Sequence, residues 1–82
     1  MVDCSGSYGN HGCNMGSPVS AMKYIKDLGI ALSSEYPYVA KTENCKKQGG
    51  AHKIVGIASA TGCTDIQNAL MSRPLGAAID AT

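Results

Sequence analysis

Gly12-Cys13-Asn14-Met15-Gly16-Ser17-Pro18-Val19, continued by Met22, Ile25 and Leu28 and closed by Gly29, is the stretch that decides how this chain folds. Ser17 stands as a helix N-cap and Pro18 at the first helical position, where its fixed φ is already helical and its missing N–H is not needed. Val19, Met22, Ile25 and Leu28 recur every three residues, which places four apolar side chains on one stripe. Lys23 and Lys26 complement the C-terminal end of the helix dipole, and Gly29 offers a left-handed stop. The reading therefore predicts a helix over residues 18–28. Full burial of the stripe would contribute roughly 6 to 10 kcal/mol as an upper estimate, so this face must meet something.

Working outward, residues 4–16 contain Ser5, Gly6, Ser7, Gly9, Asn10, Gly12, Asn14 and Gly16, a density of turn formers that excludes helix and leaves a loop in need of cross-links. Residues 30–52 read as an irregular connection, extended at Tyr36-Pro37-Tyr38 and flexible at Gly49-Gly50. Lys53 to Ala60, with Ile54, Val55 and Ile57, predicts a strand that Gly56 weakens. Thr64-Asp65-Ile66-Gln67 matches a capping box and predicts a short helix through Met71 that stops before Pro74. Leu75 to Ala81 predicts a second strand, with Leu75, Ala77, Ile79 and Ala81 on one face. The order is loop, helix, long loop, strand, helix, strand, which makes the expected class α+β.

With 82 residues the chain is one domain or less, and its core is expected to be thin, because it has no Trp, no Phe and four Tyr. Such chains need disulfides, a metal or a partner surface. A net charge of +1 from scattered basic residues gives no footprint for nucleic acid or an anionic membrane, so neither is an expected partner. No run of 18 apolar residues spans a membrane, no signal peptide is visible, and Met1 need not be an initiator. Four cysteines in so short a chain favour an oxidising or endolysosomal setting.

Val2-Asp3-Cys4, the Gly12–Gly16 segment, Tyr36-Pro37-Tyr38 and Cys45 together resemble the middle of a papain-like cysteine protease of the cathepsin L and papain type, from Val2 to about Ala81. The resemblance implies a single partial peptidase domain over 1–82, with residues 1–50 as a portion of the helical lobe and 53–82 as the start of the β-rich lobe. It implies no catalytic residue here, since the family's nucleophilic cysteine lies upstream of this stretch and its general-base histidine downstream. Asn14, Met15 and Gly16 would form substrate-cleft wall, with Gly16 pairing by main-chain hydrogen bonds to an extended substrate. Met15 stands where the family has glycine. Pro18 and Ala78 would line the pocket for the substrate side chain two residues before the cut, and small apolar residues there suit Leu, Phe or Tyr. Read without the resemblance, the glycine segment is a tight turn, Pro18 a first helical residue and Ala78 a strand residue.

The same pattern joins Cys4 to Cys45, which would stabilise the fold by roughly 4 kcal/mol. It pairs Cys13 with a cysteine absent from this chain, and Cys63 has no family counterpart. Cys63 is therefore open to bridging Cys13, staying free or bonding another molecule. As a nucleophile it would need an imidazole or a helix N-terminus, and His11, His52 and the capping box at Thr64 are available. A zinc site lacks short Cys-x-x-Cys knuckles, so neither metal nor cofactor is expected. Asp3, Glu35, Asp65 and Asp80 show no paired arrangement for acid–base work, and no phosphate-cradling glycine motif is present.

The implied function is a segment of an endopeptidase, not catalytic alone, in a lysosomal, vacuolar or extracellular setting. Its partners would be the remainder of the protease chain, peptide or protein substrates, and cystatin-like or propeptide inhibitors. The alternatives are a stand-alone, non-catalytic peptide- or protease-binding module and a small disulfide-rich structural or secreted peptide.

Overall fold

A computed structural model of the chain describes residues 1–79. Its elements are a single 3-10 turn at Gly6–Tyr8 and two α-helices, α1 at Pro18–Leu28 and α2 at Cys63–Leu70. α1 has the expected bounds, with Ser17 at the N-cap position and Gly29 ending it through an N–H bond to the Ile25 carbonyl at 2.8 Å. The Ser17 hydroxyl, however, makes no capping bond, and Gly29 has φ 83° with ψ 176°, a positive-φ conformation that favours glycine but differs in ψ from the left-handed helical stop.

The core is organised around Tyr24 and not around the aliphatic stripe. Tyr24 is 2% exposed, whereas Val19 is 47% and Leu28 37% exposed. Two contacts draw the ring in. Tyr8 from the 3-10 turn packs edge-on against it with centroids 5.7 Å apart, and Tyr8 Oη donates to Asp27 Oδ2 at 2.8 Å one turn along the helix. On the other side, Tyr24 Oη accepts the N–H of Gly49 at 2.6 Å. A phenol can fill volume and satisfy a buried amide at once, which an aliphatic side chain cannot.

That amide belongs to a segment crossing the C-terminal end of α1. Gly50 N–H bonds the Leu28 carbonyl at 3.1 Å, and Ile30 and His52 form an antiparallel bridge with bonds of 2.7 and 3.3 Å. Backbone lies on backbone here, and a Cβ at residue 50 would overlap the main chain of Ile30 and Ala31. Glycine at 50 is therefore a packing requirement and not a source of flexibility.

The long loop is tethered as the family resemblance implied: Cys4 and Cys45 form a disulfide across 41 residues with Cα atoms 5.0 Å apart. The α+β expectation is only half met, because neither predicted strand forms among the described residues. Residues 53–60 are irregular and Val55 is fully exposed; residues 75–79 are irregular too, and residues 80 and 81 of that predicted strand lie outside the described residues. A strand needs a partner for its row of N–H and C=O groups, and the Ile30–His52 bridge is too short to serve as one. α2 begins at Cys63 with Gly62 as N-cap, so Thr64 lies inside the helix and the capping box does not form.

The chain is open in shape. Its radius of gyration is 13.8 Å, against about 12 Å for a compact domain of this length. Ile66, Leu70 and Met71 of and after α2 are 43%, 57% and 88% exposed, and no packing contact joins α1 to α2.

Candidate functional site

The loop before α1 is built from its own backbone and from two side chains reaching in. His11 N–H bonds the Met15 carbonyl at 2.8 Å and Asn14 N–H bonds the His11 carbonyl at 3.0 Å, closing a tight turn. Thr42 Oγ1 accepts the Cys13 N–H at 3.0 Å, and Asn10 Oδ1 accepts the Ser17 N–H at 2.9 Å. Gly12 has φ 61°, a left-handed angle, and packs so closely on Thr42 that a side chain would collide. Asn14, Met15, Gly16 and Pro18 together border a shallow, open concavity with Asn10 and Ala21. Met15 does not adopt a positive φ, and its side chain is 72% exposed, so glycine is not required at this position.

Ala78 is less closely placed. It is exposed, but Gly76 two residues earlier passes over α1, where a Cβ would sit 3.3 Å from Pro18 Cβ and 3.0 Å from Met22 Cε. The structure therefore brings Gly76 to α1 beside Pro18 and Met22 without showing contact between Ala78 and Pro18.

Cys13 and Cys63 are both free and exposed. The Cys13–Cys63 bridge left open by the sequence does not form, because Cys13 sits before α1 and Cys63 opens α2, and nothing packs these helices together. His11 and His52 are exposed, and among the described residues no three of His, Cys, Asp or Glu converge as metal ligands would.

The strongest electrostatic arrangement lies beside the disulfide and was not legible in the sequence. Tyr36 Oη donates to Asp3 Oδ2 at 2.6 Å and accepts the Lys46 N–H at 3.1 Å, while Glu43 N–H donates to Asp3 Oδ1 at 2.8 Å. The Asp3 carboxylate thus ties residues 36 and 43 to the segment entering Cys4, and Tyr36 Oη ties residue 46 in turn. The Tyr36 bond and then the Glu43 amide hold the Asp3 carboxyl below its ordinary 3.8, and the bond to Asp3 raises the Tyr36 phenol above its ordinary 10.0. The exposed pairs of Glu43 with Lys41 and Lys46 add little.

A depressed folded-state pKa at Asp3 means stability that is present above 3.8 and is lost as pH falls through the folded value. The raised Tyr36 value contributes stability present below 10.0 and lost as pH rises above it. The urea midpoint should therefore decline on acidification below about pH 4, and Asp3→Asn should flatten that decline. An acid limb identical in wild type and Asp3→Asn would show that the cluster carries no such linkage.

The papain family cysteine protease profile matches residues 1–82. The chain belongs to the papain family of cysteine proteases. Among its relatives, "Cathepsin L 2" of Paramecium tetraurelia is 39% identical over 84 residues, covering 99% of this chain and 26% of that protein. "Cysteine proteinase 3" of Dictyostelium discoideum is 42% identical over 88 residues, covering all of this chain and 26% of that protein. "Thiol protease aleurain" of Arabidopsis thaliana is 47% identical over 47 residues, covering 56% of this chain and 13% of that protein. No solved structure matches. The papain-family segment spans about a quarter of the length of the first two of these relatives. None of its described helices is long and apolar enough to cross a membrane.

Proposed function

We propose that this papain-family segment supplies substrate-cleft wall to a cysteine endopeptidase whose nucleophile and general base lie outside it. Residues 1–50 would belong to the helical lobe and 53–82 to the start of the β-rich lobe. The observation that carries this reading is the state of Gly16: the residue is exposed, and neither its N–H nor its carbonyl has a hydrogen-bond partner among the described residues. An extended peptide offers one donor and one acceptor per residue and can complete both groups, as in strand addition. The concavity beside Gly16 and Pro18 would receive the neighbouring side chain, and Ala78 would line it from the segment whose Gly76 lies beside Pro18. The exposed apolar residues of α2 and its flank, and the unpaired 53–60 segment, fit a piece that packs against the remainder of a protease chain. The disulfide suits a lysosomal, vacuolar or secreted enzyme. Propeptide or cystatin-like inhibitors would meet the same wall.

Neither free thiol sits in a catalytic arrangement. Cys63 is exposed at the start of α2, and no hydrogen bond joins it to an imidazole among the described residues. The isolated chain should therefore not turn over a Phe-Arg fluorogenic peptide. The amides of Asn14 and Gly16 should shift on titration with acetyl-Phe-Arg-amide while those of α2 stay in place. Thiol-dependent cleavage abolished by Cys63→Ser, or peptide-induced shifts confined to α2, would overturn the proposal.

A further inference from the structure

We infer that Asn10 is a positioning residue that holds the Gly16 backbone ready for peptide, an inference that rests on the cleft-wall reading. Its carboxamide works at both ends. Oδ1 accepts the Ser17 N–H at 2.9 Å, and Nδ2 donates to Ser5 Oγ at 3.0 Å. The Ser5 hydroxyl donates in turn to the Met1 carbonyl at 2.7 Å. Ser5 is 2% exposed, so this chain of bonds starts from one of the most buried points of the molecule.

The chemistry sets the orientation of the amide. A hydroxyl has one proton, and that of Ser5 is committed to Met1, so its oxygen can only accept from Asn10. The NH2 end must face Ser5, and the carbonyl end must face Ser17. Residues 10 and 17 are the two feet of the loop that carries Asn14, Met15 and Gly16, and Asn10 joins them through a side chain. Gly16 rests against the same oxygen, with a Cβ at that position lying 3.0 Å from Asn10 Oδ1. The brace engages Ser17 N–H and leaves both polar groups of Gly16 without a partner among the described residues.

A loop that must be ordered when a ligand arrives binds it more weakly than one already ordered. Asn10 therefore acts on affinity through Gly16 without touching the peptide.

The test uses the 15N-labelled, disulfide-bonded chain with Asn10→Leu, which keeps the branched shape and removes the bonds, and Asn10→Asp, which keeps an acceptor for Ser17. Gly50, bonded to Leu28 at the far end of α1, reports whether the fold is intact. In Asn10→Leu, Ser17 amide exchange should rise by roughly fivefold, the factor that one hydrogen bond carries. Acetyl-Phe-Arg-amide should then move the Gly16 resonance only at severalfold higher concentration than in wild type. Asn10→Asp should return both readouts toward wild type, because its carboxylate accepts strongly from Ser17 N–H while the Ser5 hydroxyl turns from the Met1 carbonyl to donate to its other oxygen; simple loss of packing predicts no such rescue.

Unchanged Ser17 exchange in Asn10→Leu, or no rescue by Asn10→Asp, overturns the inference. Should Asn10→Leu lose Gly50 protection, Asn10→Asp decides alone: retained Ser17 protection and Gly16 response support the brace, and loss of either overturns it. A wild-type Gly16 that ignores the peptide sinks the cleft-wall reading and the binding role of Asn10 with it. A normal wild-type response that Asn10→Leu leaves unchanged sinks the binding role of Asn10 alone.

Discussion

Replacing Cys4 and Cys45 together by serine is expected to lower the unfolding free energy by about 4 kcal/mol, the entropy of closing a loop of 41 residues in the unfolded chain. A domain of this size has a total stability of only about 4 to 12 kcal/mol. The loss should be felt near the full value, because among the hydrophobic residues described only Cys4 and Tyr24 are buried, and Cys4 is itself half of the bridge. The hydrogen bonds around Asp3 and Tyr36 hold the same two segments together, but they lie near the surface and cannot replace a covalent link. Urea titration followed by tyrosine near-ultraviolet dichroism, with and without reductant, measures the effect. The reduced wild type should behave like the double variant. A midpoint displaced by less than the equivalent of about 1 kcal/mol would mean that non-covalent contacts already fix the long loop.

Tyr24→Ala carries the second large effect, about 3 to 5 kcal/mol, the usual range for deleting a buried aromatic ring. Three elements lose contact at once: the 3-10 turn through Tyr8, α1 itself, and the Gly49–His52 crossing through the Gly49 N–H. Tyr24→Phe separates packing from hydrogen bonding. It keeps the ring and leaves one buried amide without its acceptor, a cost of about 1 to 3 kcal/mol. Amide exchange at Gly49 should accelerate in Tyr24→Phe, while Tyr8 keeps its edge-on contact. If Tyr24→Phe is as stable as wild type, the Gly49 N–H has found another acceptor and the phenol is not its anchor.

Helix α1 was legible because its signals are local. Ser17, Pro18 and Gly29 set its ends through backbone angles and caps, and those depend on neighbours in sequence. The buried side of that helix was not legible. The aliphatic stripe and Tyr24 compete for the interior, and the winner is set by Tyr8 and Gly49, which are 16 and 25 residues from Tyr24. The Gly12–Gly16 segment was visible through family resemblance as a motif, whereas the side chains that shape the loop, Asn10 and Thr42, carry no motif of their own. Asp3 and Tyr36 were quoted as family markers next to Cys4 and Pro37, but nothing in their spacing says that one bonds the other.

The sequence by itself determined the extent of α1, the presence of a second helix before Pro74, and membership of the papain family through the residues around Cys4, Gly12–Gly16, Tyr36–Tyr38 and Cys45. Only the tertiary structure decided that Tyr24 is the core, that the Asn10 side chain bonds the Ser17 N–H across the loop before α1, that Cys13 and Cys63 stay apart, and that residues 53–60 remain unpaired among the described residues. The division has a physical cause. Caps and turns are settled within a few residues, while burial and strand pairing depend on which distant surface arrives, and for the 53–60 segment none arrives within the described residues.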